Sequence, residues 1–376
     1  MAPETARSMS RHWITFYMRS INHILYLPLL VLLAGCAVAE TDTAVPTAIS
    51  EATVPVTLPA PTAIPPTVEK TPTLKAGQWT YIFYHEGLEQ VLLVNGGPER
   101  GKPADDPLEI WSWNGTDWSL ISAEAEGPTW RNWAAAAYDG ARDVLVIHGG
   151  LQSQNRFDET WEWDGQRWTL FTGSGPGARE GAVMAYDAAR ASMILFGGAT
   201  PDMQIRGDTW EWDGQAWRTV SEAGPAPRFP GGMVDDPVRK EVLMYSGHFA
   251  EPSGGAIDYD DLWSWDGTSW REVVVSGSTP DHRTHAGFVF DPVTGTVLLI
   301  GSGSDTFRSD IWAWDGTKWE EIPTTNTPPR SGLNVAYDPA RDRFVLFGGV
   351  DRPGGVALDD TWEWDRDAWT CVHNCQ

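Results

Sequence analysis

The residues of this chain with the most obvious chemical capacity recur at matched positions. Arg131, Arg179, Arg228, Arg283 and Arg330 each stand seven residues before an aromatic or its equivalent, and Gly77 takes the corresponding place nearer the amino terminus. Six acids, Glu109, Glu159, Asp208, Asp261, Asp310 and Asp360, each stand two residues before a tryptophan. A guanidinium ring facing a carboxylate ring has two uses: fixed structural bridges, or a mouth that grips anions or peptides. Departures from the repetition are more pointed. Trp130 and Trp133 flank Arg131, and His282 and His285 flank Arg283. Aromatic faces beside arginine can stack on sugar rings or peptide side chains. The histidine interval of three does not suit a metal pair on a strand, and Asp258-Tyr259-Asp260-Asp261 lacks the glycine and ligand spacing of a calcium loop. No metal and no cofactor is expected.

The elements that must position these groups show in the tryptophans. Of 22, eighteen fall in six copies of Trp-x-Trp-[Asp/Asn]-Gly-x-x-Trp, whose first members are Trp111, Trp161, Trp210, Trp263, Trp312 and Trp362; the last copy has Asp365-Arg366 in place of Asp-Gly. Successive first tryptophans are 50, 49, 53, 49 and 50 residues apart. Before each copy lies an aliphatic run closing on glycine, as in the VLVIHGG that ends at Gly150. In four units that run follows an aromatic and an acid: Tyr138-Asp139, Tyr186-Asp187, Phe290-Asp291 and Tyr337-Asp338. Period-two patterning, Asp-Gly hairpins and the lack of helical periodicity predict four short antiparallel strands per unit. The fold class is therefore all-β, a six-bladed propeller.

The order of marks resembles the kelch repeat over about residues 77–372. WD40 repeats are shorter and carry Gly-His, and the sialidase Asp-box needs a residue between Asp266 and Gly267 that this chain lacks. Resemblance to the central domain of galactose oxidase would imply a copper site with a cysteine–tyrosine cross-link, but no cysteine lies between Cys36 and Cys371. A sugar-processing propeller of mutarotase or sialidase kind is the enzymatic alternative, and it needs His, Glu and Arg converging at one mouth. The resemblance favours a binding module for a protein or glycan, without catalysis.

The ends of the chain carry an address and a pin. Arg7, Arg11 and Arg19, the apolar stretch ILYLPLLVLL from Ile24 to Leu33, and Leu33-Ala34-Gly35-Cys36 resemble a bacterial lipoprotein signal over 1–35, with lipid on Cys36. Met18 offers a later start. Residues 36–76 are rich in Thr and Pro and are expected to be an extended spacer, and 77–376 form the propeller. Cys371 and Cys375 are expected to pair, as exported cysteines do. A net charge of −24 excludes a nucleic-acid partner. It also leaves lipid as the means of holding an envelope membrane, and a monomer is expected. Strand order puts the links between blades and the loops between second and third strands on one face. These loops vary in length, so function is expected there.

Overall fold

The structure is a computed structural model, and it describes residues 74–75, 80–95, 103–250, 255–302, 307–351 and 355–375. The address and most of the spacer, Cys36 included, lie outside the described residues.

Six four-stranded antiparallel sheets form a ring. Their innermost strands are Tyr81–His85, Ala135–Asp139, Val183–Asp187, Phe229–Asp236, Gly287–Asp291 and Asn334–Asp338, and each touches its counterparts in the neighbouring blades. Second strands such as Val144–His148 and Ser192–Phe196 are buried at every position. That burial explains their unbroken apolar runs, because blades cover them on both faces. Third and fourth strands join through the Asp-Gly hairpins. There the Asp164 carboxylate accepts the N–H groups of Gln166 and Arg167 at 3.0 Å, and the glycine supplies the positive φ that the turn needs.

The tryptophans divide the labour of packing. The second and third of each motif face each other across the hairpin, with ring centroids 5.2 Å apart for Trp113 and Trp118 and 5.4 Å for Trp212 and Trp217. In blades three and four the third also reaches the preceding blade: Trp217 Nε1 donates to Thr160 Oγ1 at 2.8 Å, and Trp270 Nε1 to Thr209 Oγ1 at 2.7 Å.

Closure uses the same contacts. No described sheet mixes strands from the two ends of the chain. Instead Trp118 Nε1 donates to Thr361 Oγ1 at 2.8 Å and Trp113 Nε1 to Glu363 Oε1 at 2.8 Å, joining blade one to blade six. Leu74 and Val372 join the apolar cluster at that seam. Cys371 and Cys375 are bonded, and between them His373 Nδ1 lies 3.2 Å from the Thr116 carbonyl of blade one.

Candidate functional site

The variable loops surround the mouth of the ring, and the arginines lie beneath them. Each guanidinium is buried, with exposure between 1 and 6%. Each also lies within its own blade. Arg131 Nη2 donates to Glu159 at 2.9 Å, Arg179 Nη1 to Asp208 at 3.1 Å, and Arg228 Nη2 to Asp261 at 2.9 Å. Arg283 Nη1 reaches Asp310 at 2.8 Å, and Arg330 Nη1 reaches Asp360 at 2.7 Å. A second bond goes to the carbonyl that ends the second strand, from Arg179 to Gly197 at 3.1 Å and from Arg330 to Gly348 at 3.0 Å.

The backbone of the same residue faces the other way. Gly150 N–H donates to the Arg179 carbonyl at 2.9 Å, and Gly198 N–H to that of Arg228 at 3.1 Å. A Cβ on Gly149 would stand 2.5 Å from the Arg179 carbonyl, so the glycine pair is there to admit the next blade. Arg179, Arg228, Arg283 and Arg330 thus each tie their own blade with the side chain and the preceding one with the backbone.

The acid ring is equally occupied. In all six blades it accepts the indole N–H two residues on, from Trp111 to Glu109 at 3.0 Å through Trp362 to Asp360 at 2.8 Å. Burial would raise Asp208 and Asp310, but the bonds from Arg179 and Arg283 outweigh it and hold both carboxyls below their ordinary range. The five arginines expected on the binding face are therefore buried inside it, and they offer no guanidinium to a ligand.

Trp130 is a second correction. It is 6% exposed, its Nε1 donates to the Pro103 carbonyl at 2.7 Å, and its own carbonyl accepts Gln152 Nε2 at 2.9 Å. It holds a blade-one loop in place and is not an open stacking surface.

Trp133 and His285 stand differently. Both are half-buried at the mouth, just before an innermost strand, with φ of 54° and 57°. Two residues after Arg179 and Arg330 the same left-handed position is filled by Gly181 and Gly332, with φ of 66° and 70°. The four are linked in pairs around the ring: Gly181 N–H donates to the Trp133 carbonyl at 2.8 Å, and Gly332 N–H to that of His285 at 3.2 Å. A bulky side chain at positive φ is held against its conformational preference, which points to a use for the side chain. Counting two residues on from each arginine in the sequence would have exposed this contrast.

Sequence reasoning missed the neighbours of His285. His248 stacks on Phe229 with centroids 5.3 Å apart, and His282 Nε2 lies 3.4 Å from Asp258. Burial pushes His285 down to about 3, and the nearby His248 and His282 act in the same direction. Burial likewise pushes His248 down to about 4, against the pull of Asp258. The result is a group of imidazoles at blades four and five, with His248 and His285 held neutral by burial. Among the described residues no three His, Cys, Asp or Glu side chains are arranged to hold a metal ion.

With this geometry in hand, comparison with known proteins is direct. Residues 163–349 match the KLHDC2/KLHL20/DRC7 Kelch-repeats domain. These residues are kelch repeats. A solved structure described as "Structure of YjhT" aligns with a TM-score of 0.59 and 14% identity, over 80% of this chain and 98% of that one. That likeness concerns the fold. No curated protein sequence matches the chain. In this ring the repeated residues build the blades, and the mouth carries Trp133, His248, His282 and His285.

Proposed function

We propose that this chain is an exported, lipid-anchored binding module that holds a protein or glycan ligand at the mouth of its kelch propeller, at a bacterial envelope. One observation carries the reading: Trp133 and His285 occupy left-handed positions that the repeats of blades three and six give to glycine. Such strain persists where a side chain is needed and the surroundings enforce it. A half-buried indole and a half-buried imidazole supply stacking area, which suits sugar rings and peptide side chains. Because the arginine ring is buried in ion pairs, the mouth recognises shape and hydrogen bonding more than negative charge.

The experiment replaces Trp133 and His285 singly by glycine, the residue of blades three and six, and screens a glycan panel and an envelope-protein panel. Loss of ligand with the melting temperature unchanged or raised supports the reading; binding that survives both changes rejects it. The sugar-processing alternative rests on the His248, His282 and His285 group beside Asp258, and turnover of a panel sugar that disappears in His285→Gly would favour it. Peptide mass spectrometry that finds Gly35 and Cys36 joined in the mature protein would reject the lipid anchor.

A further inference from the structure

The middle strands of the fourth blade, Glu241–Ala250 and Ala256–Trp265, are each ten residues long, where their counterparts in other blades have four to six. They continue past the blade on the variable face as a ribbon, pairing Gly247 with Tyr259, His248 with Asp258, Phe249 with Ile257 and Ala250 with Ala256. Glu241–Ala250 is flanked on its other side by the innermost strand as far as Phe229. Ala256–Trp265 is not covered to the same extent. The outer strand Trp270–Glu272 pairs only with Trp263–Trp265, and Val273 N–H adds one bond to Leu262 at 2.8 Å. From Ala256 to Asp261 the strand has a ladder neighbour on one side only, among the described residues.

The side chains along this open edge are distinctive. Asp258 and Asp260 are exposed and two residues apart, so they share one face of the strand. Asp258 also faces His282, whereas Asp260 makes no ion pair among the described residues. On the opposite face Ile257 is 44% exposed, and Val274, where the link turns away from the edge, is 92% exposed.

We propose that this edge receives an extended, basic polypeptide segment of a partner as an added strand. A free strand edge offers unpaired N–H and C=O groups to an incoming strand, and alternate side chains set its specificity. The Asp258 and Asp260 row selects lysine or arginine at alternate positions and speeds encounter with a basic partner. The same row opposes pairing with a second copy of this chain, which would bring like charges together. The proposal shares with the proposed function the idea of a binding module; the edge borders the mouth, because Asp258 faces His282, so Asp260 and Trp133, which lie on opposite sides of that border, carry the distinction.

The test uses the full chain and a fluorescent peptide of alternating lysine and threonine, with binding read by anisotropy at low and physiological salt. Controls are an acidic peptide of the same pattern and the lysine–threonine peptide interrupted by proline, which cannot complete a strand ladder. The proposal expects binding of the first peptide alone, slowed amide exchange over Ala256–Asp261, and affinity weaker by about tenfold or more in Asp260→Lys. Asp260 is exposed and makes no ion pair among the described residues, so this variant keeps the fold; Asp258→Asn provides a milder second step. Equal binding of the proline-interrupted peptide, protection elsewhere than Ala256–Asp261, or unchanged affinity in Asp260→Lys each overturns it. So does self-association through this edge. Trp133→Gly separates the two readings: it should abolish mouth binding and leave peptide binding intact, and loss of both would overturn the edge proposal.

Discussion

Arg366 of the sixth blade reaches back into the fifth, where its Nη2 lies 2.8 Å from Asp291. This contact completes a pattern that two repeats break together. In four blades the acid closing the innermost strand binds an arginine three residues later: Arg142 to Asp139, Arg190 to Asp187, Arg239 to Asp236 and Arg341 to Asp338. Each of these arginines lies against the hairpin glycine of the following blade, at Gly214, Gly267, Gly316 and Gly115. In blade five that arginine is Thr294, and in blade six that glycine is Arg366. The cation has moved from one side of the blade boundary to the other.

Replacing Arg366 by the glycine of its sister repeats should therefore destabilise the ring, although its φ of 79° would suit glycine better. Removing charge-assisted hydrogen bonds to a buried carboxylate costs about 2 kcal/mol, and relief of the backbone returns about 1 at most. Adding Thr294→Arg to Arg366→Gly should recover most of the loss. Urea unfolding of the three proteins checks it; an Arg366→Gly variant as stable as the parent would reject the exchange.

Stability should fall as the solution is acidified below about pH 6.5. His148 and His285 are pushed down to about 3 and His248 to about 4, chiefly by burial. Unfolded histidine takes up its proton near 6.5, so the unfolded chain gains protons that the folded one refuses. The stabilisation is complete above that pH and is lost as pH falls toward 4, by about 1.4 kcal/mol per pH unit for each histidine. Urea midpoints from pH 8 to 4 measure the slope, which should be shallower in His148→Gln; a flat profile would show the three imidazoles free to ionise.

Arg228→Ala should cost about 3–5 kcal/mol, since it leaves Asp261 short of its partner and opens a bond to the Ser246 carbonyl. Arg206, exposed on a neighbouring loop with no ion pair among the described residues, should tolerate alanine within about 0.5 kcal/mol. Thermal melts of the two variants distinguish them, and similar small losses in both would argue against the buried bridges.

Reducing the Cys371–Cys375 bond should lower stability by about 2 kcal/mol, as expected for a loop this short. The effect should be local as well. His373 would leave the Thr116 carbonyl, and amide exchange should quicken in Trp369–His373 and the blade-one hairpin before it does in blade three. Melting and exchange with and without a thiol reductant test both parts.

The architecture was largely legible because each blade repeats the same burial demands. The Trp-x-Trp hairpins, the aliphatic second strands and the count of blades all appear where the spacing put them. The mouth was less legible. Arg131 and Asp208 have polar side chains whose partners lie 28 and 29 residues away, so spacing alone left open whether their charges faced a ligand or each other. Trp130 looked like a functional departure because nothing in its sequence neighbourhood shows that Pro103 and Gln152 cover it. His248 was missed because it becomes a neighbour of His285 only when the long hairpin of blade four folds over the interblade link. Arg366 was visible as an exception, but its reason lies in Thr294, 72 residues earlier.

The seam between blades six and one has a topological consequence. Each blade draws its four strands from one continuous stretch of the chain, and the seam is sealed by the same indole-to-threonine bond that joins blade three to both its neighbours. Leu74 and Val372 meet in one cluster there. The ring therefore has no privileged starting blade. A circularly permuted chain, joined across this seam and opened at another interblade link, would leave all six sheets and the mouth unchanged.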